Sequence, residues 1–523
     1  MANIIMQPCD RGVVLSGAPA TPCTRSQKRW VLAATVLGSS LAFIDGTVVN
    51  VALPALQTEL GATAADVQWV VESYALLLAA LLLVGGSLGD QYGRRKIFSI
   101  GVSIFAVASG LCGLAPGIVF LIIARAVQGI GAALLIPGSL AIISASFDKQ
   151  ERGQAIGTWS GFSSITAALG PVAGGWLVEH VSWRAAFFLN IPLAMIVLAM
   201  AFSRVPESRD PTANKTIDFL GAALATIGLG SLVYGLINSG ALGLLDLRTL
   251  PPIIWGMVSL GLFGVVEARK ANPMLPVNLF KSRNFSGANL LTLTMYTALG
   301  GTLFFFPLNL IQVQGYTATA AGAALLPWII MMFLLSRWSG GLVSRFGSRP
   351  PLIIGPLVTG AGYLLFLPPG VGGSYWLTFF PAVIVLGFGM AITVAPLTTT
   401  VMNSVPEHLA GVASGVNNAV SRTAGLLSIA VLGITMVHGF NTALDRNLSR
   451  LPVSPELRAS ISEQRARLGA IEIPPSADPE SRAALLMAVD ESFVAGFRLV
   501  TLGSAALALA SSLFGWFMID DDK

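Results

Sequence analysis

Gly86-Ser87-Leu88-Gly89-Asp90-Gln91-Tyr92-Gly93-Arg94-Arg95 closes the second long apolar run of the chain, and Gly340-Gly341-Leu342-Val343-Ser344-Arg345-Phe346-Gly347-Ser348-Arg349 closes the tenth. In both, glycines punctuate a tight turn that ends in arginine, where a side chain would resist the required backbone angles. The echo relates two halves of the chain. Counting outward from these turns, fourteen apolar stretches begin near positions 30, 66, 96, 118, 153, 185, 217, 251, 285, 319, 351, 376, 410 and 494. Each is long enough to cross a hydrocarbon core as a helix and roughly twice what a barrel strand needs. The expected fold is an all-α membrane bundle of two six-helix halves, spans 1 to 6 and 9 to 14, with spans 7 and 8 inserted between them. Parallel repeats with a substrate site between them are the logic of many secondary transporters.

Composition agrees with this reading. Of 523 residues, 54% are hydrophobic and 11% charged, and the mean hydropathy is +0.74, far more apolar than a soluble domain. The net charge of +5 does not indicate nucleic-acid binding, because the basic residues sit in alternate short gaps. Lys28, Arg29, Arg94, Arg95, Lys96, Lys149, Arg152, Arg204, Arg269, Lys270, Lys281 and Arg349 fall in one set of gaps, and only Arg184 and Arg248 in the other short ones. That bias places the N-terminus in the cytoplasm of a multi-pass cell (inner) membrane protein. No cleavable signal peptide is expected in 1–28. Cys9, Cys23 and Cys112 form no disulfide framework.

The expected organisation is a cytoplasmic tail at 1–28, a first half at 29–203, a linker with two inserted helices at 204–283, a second half at 284–517 and a short tail at 518–523. The stretch 438–493 is expected outside, as a helical hairpin with starts at Ser454-Pro455-Glu456 and Asp478-Pro479-Glu480, or else as a plain solvated loop.

Six motifs occur in order: the 86–96 turn; Arg125-Ala126-Val127-Gln128-Gly129-Ile130-Gly131; Gly170-Pro171-Val172-Ala173-Gly174-Gly175; the 41–54 segment with Asp45, Thr47, Asn50 and Pro54; Trp183 and Arg184 with Phe187, Phe188, Asn190 and Pro192; and Gly411, Gly415, Asn417 and Asn418 with Arg422. Through them the chain resembles the major facilitator superfamily, and within it the fourteen-helix drug:proton antiporter family. The resemblance implies a proton-coupled exporter of lipophilic drugs or other amphipathic small molecules, with Gly170, Pro171, Gly174 and Gly175 as the antiporter motif. An exporter or facilitator of a lipid or a specific lipophilic metabolite is the alternative. Two departures bear on cargo: Ser344 replaces the acid of the second-half turn, and 285–437 holds no acid except Glu407. Organic cations are therefore less securely implied than neutral or anionic lipophiles.

Ionisable residues within spans are costly in lipid and mark function. Asp45, Glu72 and Arg125 lie at one depth, about 9 to 14 Å from the outer helix ends at 1.5 Å per residue, and are the proton-coupling candidates. A permanent Asp45–Arg125 ion pair that only locks spans 1 and 4, and a water-facing Glu72, are the competing readings. Gly86, Asp90, Gly93 and Arg94 form a candidate conformational latch, or merely a topology signal. Arg422 either bonds carbonyls of neighbouring helices or faces a cavity; Asn50, Gln128, Asn418, Phe304 and Trp328 are further cavity candidates, with Phe305, Phe306, Met331 and Met332 as weaker ones.

No G-x-x-x-x-G-K-[ST] loop points to ATP, and His180, His408 and His438 show no metal-ligand spacing. The expectation is therefore a transporter and not an enzyme, with no cofactor or metal and the proton as coupling ion. The expected partners are a small lipophilic substrate and the lipid bilayer, with no nucleic acid; a periplasmic adaptor stays open, and a monomer is expected.

Overall fold

The computed structural model describes residues 25–147, 149–209, 218–270, 273, 275–405 and 410–520. Cys9, Cys23 and Glu407 lie outside them, as do most of the 1–28 tail and the last three residues. Fourteen rods appear: span 1 (Arg25–Leu60), span 2 (Ala64–Tyr92), span 3 (Arg94–Gly113), span 4 (Ile118–Ser146), span 5 (Lys149–His180), span 6 (Trp183–Arg204), span 7 (Phe219–Leu242), span 8 (Leu250–Arg269), span 9 (Arg283–Val313), span 10 (Ala318–Ala323 continued by Leu326–Gly340), span 11 (Arg349–Leu364), span 12 (Tyr375–Thr378 continued by Phe380–Asn403), span 13 (Ala410–Arg450) and span 14 (Pro479–Met518). Twelve of these are long and apolar enough by themselves to cross a membrane. The other two, spans 5 and 11, pack inside the same bundle against spans 1 and 12.

Glycine sets how closely the rods approach. A β-carbon at Gly85 of span 2 would lie 2.0 Å from the carbonyl oxygen of Ala133 in span 4, and one at Gly129 of span 4 would lie 2.4 Å from that of Tyr74. Spans 2 and 4 therefore touch backbone to backbone, as small residues allow where lipid offers no hydrophobic drive between helices. Spans 1 to 6 form one group and spans 9 to 14 the other, while span 7 lies against spans 2 and 13 and span 8 packs on span 7. At the start of span 7, Asp218 accepts a 2.7 Å bond from the Gly221 amide and pairs with Lys270 at 2.5 Å, clamping the inserted pair at its base.

The two ends of the bundle differ. The end carrying Arg94, Arg95, Arg204, Lys270 and Arg349 is here the basic end. At the opposite, far end the two halves join: Gln312 donates to Gln57 at 2.9 Å, Thr319 Oγ1 donates to Glu179 at 2.6 Å, and Gly322 and Gly175 sit on the backbones of Pro171 and Ala318.

Both anticipated helix starts in 438–493 are present. Ser454 accepts from the Leu457 amide and Asp478 from the Glu480 and Ser481 amides, satisfying donors that a helix start leaves open. The hairpin differs from a separate module, however. Its arms are continuations of spans 13 and 14, whose 41 and 40 residues reach about 60 Å at 1.5 Å per residue, twice the hydrocarbon thickness. A short helix, Pro455–Glu463, and a 3-10 turn, Arg465–Ala470, join them.

Candidate transport site

Asp45 sits nine residues before the proline of span 1, facing spans 4 and 6, and is 1% exposed, as is Arg125. One Asp45 oxygen accepts from Arg125 at 2.5 Å; the other accepts from Gln128 at 2.8 Å and Asn190 at 3.1 Å. Gln128 and Asn190 also donate to the Ser109 hydroxyl, at 2.7 and 3.1 Å. Arg125 further donates to the Val70 carbonyl and to Gln128, and its guanidinium lies 4.2 Å from the centre of the Tyr74 ring. An ion pair this dry persists only with its remaining lone pairs and protons satisfied. Here four helices supply the partners.

Behind Tyr74 and Arg125 opens a cavity of about 630 Å³ on the axis between the halves. The first half contributes Phe43, Asn50, Tyr74, Arg125 and Trp159, and the second contributes Tyr296, Thr398, Asn417, Asn418 and Arg422. Its volume suits a drug-sized molecule, and its walls are mostly apolar with a few polar groups. Arg422 faces this space; its Nε is buried without a hydrogen bond. Of the two readings open for Arg422, cavity lining is the one observed. Among the described residues no carboxylate lines the cavity, and Asp45 stands one layer behind Arg125.

Several candidates are placed differently from expectation. Glu72 is fully buried, which removes its competing water-facing reading, and neither carboxylate oxygen has a hydrogen bond. It is also apart from the Asp45 network: its neighbours Gln68 and Trp69 face Gly433 of span 13 and Tyr234 of span 7. The shared depth inferred from helix rise is therefore not a shared site, because Glu72 leaves span 2 on another side. Gln128 belongs to the ion-pair network and not to the cavity wall. Asn50, Asn418 and Phe304 line the cavity. Trp328 instead packs on Gly387 of span 12, as does Met331, and Phe305 and Phe306 are core. Cys112 is buried and free.

The 86–95 turn holds a partner that no motif indicated. Gly93 has φ +114°, a conformation that favours glycine. It ends span 2 and allows span 3 to start at Arg94. Asp90 and Arg94 pair within the turn at 2.8 Å. Glu207, beyond span 6, accepts from the Arg95 and Lys96 amides, each at 3.0 Å, and lies 3.7 Å from the Arg95 guanidinium. It is thus a carboxylate cap on span 3, well suited to a helix N-terminus. The glycines of the 170–175 motif are packing sites: Gly170 and Gly174 seat Thr47 and Val48 of span 1, and Gly175 meets span 10 across the halves. Sequence reading missed Tyr74, Ser109, Trp159, Tyr296 and Glu207. The first four are polar or amphipathic residues inside apolar spans, a signal too common to single them out; Glu207 sits in a linker.

A helical bundle of two related halves around an axial cavity, with Arg125 and Arg422 on that cavity's wall, has the architecture of a membrane transporter. Residues 35–429 match the model of the Major Facilitator Superfamily, and the chain belongs to that superfamily. It is a multi-pass membrane transporter and not an enzyme. It is 34% identical, over 96% of its length and 94% of the relative's, to the tetracenomycin C resistance and export protein of Streptomyces glaucescens. It is 33% identical, over 93% of its length and 91% of the relative's, to the multidrug resistance protein Stp of Mycobacterium tuberculosis. Among solved structures, a bacterial homolog of the human lysosomal transporter Spinster, inward-facing and unoccupied, superposes with a TM-score of 0.66 at 19% identity, covering 96% of this chain and 100% of that one.

Proposed function

We propose that this protein is a proton-coupled antiporter that exports lipophilic or amphipathic small molecules across the cytoplasmic membrane, with its basic end in the cytoplasm. The observation that carries the reading is the Asp45–Arg125 pair: a carboxylate one layer behind the wall of a cavity that both halves share. Protonating Asp45 removes its charge and releases Arg125 into the cavity, where the guanidinium takes space that cargo needs; cargo that fills the cavity presses Arg125 back onto Asp45 and displaces the proton, so proton and cargo exclude each other. The basic residues of one end support the orientation. The export and resistance proteins it resembles support the direction and the class of cargo. The joined far end supports an inward-facing state, with the cavity reaching toward Leu140, Trp159 and Thr398 of the basic half.

The test is transport in proteoliposomes under an imposed pH gradient, together with substrate-evoked proton release from solubilised protein. Wild type should concentrate dye against its gradient, and Asp45→Asn should lose uphill transport while retaining exchange. Coupled transport in Asp45→Asn would move the proton site to Glu72. Gradient-independent transport by wild type would favour a facilitator of a lipid or lipophilic metabolite.

A further inference from the structure

A second cavity, of about 580 Å³, lies in the basic half of the bundle beneath the inserted pair. Spans 7 and 8 wall it on one side through Ala225, Leu229, Leu260 and Phe263, and spans 2, 9 and 13 on the other. Among the described residues no charged side chain lines it, and Ser286, Asn289 and Thr423 are its polar groups.

Spans 2 and 13 separate this cavity from the axial one, each turning one face to either side. Ala79, Ala80 and Leu83 of span 2 face the side cavity, whereas Val71, Tyr74 and Leu78 face the axial one. On span 13 the division runs between Ala419, Val420 and Thr423 and Asn418, Ser421 and Arg422. The partition thus consists of one helix from each half. The wall is therefore also a seam between the halves. A polar link crosses span 9 to span 13 at its edge: Asn417, on the axial cavity, donates to Asn289, on the side cavity, at 3.2 Å. Away from the cavity, span 8 presents Ile254, Trp255 and Leu262 outward, about half exposed or more, as a lipid-facing helix does.

We infer that the side cavity is a binding site for the uncharged, apolar body of membrane-dissolved cargo, held between the inserted helices and the seam of spans 2 and 13 before it reaches the axial cavity. The inference rests on the export reading for its direction. Its chemistry follows from the lining: a charged group would find no counter-charge there, and an unpaired charge in such surroundings is costly. The inserted pair then has a role beyond joining the halves. It covers a seam that would otherwise open straight to lipid, and provides a site of drug-like volume.

Photolabelling of the full-length protein in liposomes tests the binding site without transport. Two probes are compared: a small uncharged aryl diazirine, and a phosphatidylcholine with a diazirine in its acyl chain. The aryl probe should label Leu229 and Leu293, and Ala225→Trp or Leu290→Trp, each filling the space from a different helix, should lower that labelling about tenfold while labelling of lipid-facing Trp255 persists. Acyl-chain labelling of Leu293 as strong as that of Trp255 would overturn the cargo assignment in favour of resident lipid. No labelling by either probe would show a sealed void. Export of Nile red, an uncharged dye, should fall about fivefold in whichever filled variant folds. Unchanged export with the labelling abolished would sink the passage role. If wild type does not export under a gradient, the export reading fails, and the labelling result still decides the site.

Discussion

Gln57 of span 1 donates a 3.1 Å hydrogen bond to the backbone carbonyl of Arg467, pinning the turn that joins the long arms of spans 13 and 14 onto the far end of the first half. The next residue, Leu468, has φ +55°, unusual for a side-chain-bearing residue, and is 3% exposed. Together with Val67, Phe304, Leu308 and Phe493 it walls a small gap at the junction of the halves. Strain of this kind persists only where the surroundings hold it. The turn therefore stoppers the far end between the halves.

Replacing Leu468 with Ser should loosen that stopper. With a reporter thiol at Val67→Cys, reaction with an impermeant maleimide in intact cells should speed up about fivefold, the effect of losing on the order of 1 kcal/mol of apolar burial. Equal rates in the two backgrounds would remove the stopper role.

Gly322 closes the same end from the other side, since its β-carbon would lie 2.1 Å from the Pro171 carbonyl oxygen. Gly322→Val should hold spans 5 and 10 apart and shift the protein toward a state open at the far end. Double electron-electron resonance between labels at Glu179→Cys and Thr317→Cys should show a longer distance than in the parent.

The Asp45–Arg125 pair makes a stability prediction independent of transport. Asp45→Asn leaves a buried guanidinium without its counter-charge and should cost about 3 kcal/mol. Adding Arg125→Gln removes the stranded charge and should recover at least about half of that loss. Urea unfolding in detergent reads both, and strict additivity of the two single losses would contradict a direct pair.

Glu207 caps span 3 with two amide bonds. Glu207→Ala should cost about 1 kcal/mol and slow transport by loosening the 86–95 turn, whereas Glu207→Gln, which keeps an acceptor, should lie between. Thermal melts and initial transport rates on the same preparations check this. Equal behaviour of both variants and wild type would leave Glu207 without a positioning role.

Asp478 gives a pH dependence outside the spans. Hydrogen bonds from Ser481 and the Glu480 amide hold its carboxyl below the ordinary range. A carboxyl depressed in the folded state contributes stability above its unfolded value, roughly pH 4, and loses it as pH falls through the folded value. The start of span 14 should accordingly fray in acid, seen as faster hydrogen exchange at Ser481 after correction for intrinsic rates, and Asp478→Ala should exchange fast at every pH.

The legible part of the fold was whatever depends on local composition. Apolar runs must become helices in lipid because no water satisfies their backbone, so the rods, the paired halves and the inserted pair follow from hydropathy and one repeated turn. Helix starts at Ser454 and Asp478 were legible for a similar reason, since a cap involves only its own next three residues. The pairing of Asp45 with Arg125 was legible as a matched depth along two helices. Glu72 had the same depth and does not join them.

Depth is one coordinate, set by the 1.5 Å rise of the helix and readable along a chain; the direction in which a side chain leaves its helix toward a neighbour is another, and it depends on how the rods pack. By itself the sequence determined an all-helical membrane protein with charges held inside it. Only the tertiary structure decided that Asn190 and Ser109 complete the Asp45 site, that Glu207 caps span 3, that Leu468 stoppers the far end, and that the inserted spans enclose a second cavity, because each of these is a contact between segments whose spacing along the chain carries no trace of their meeting.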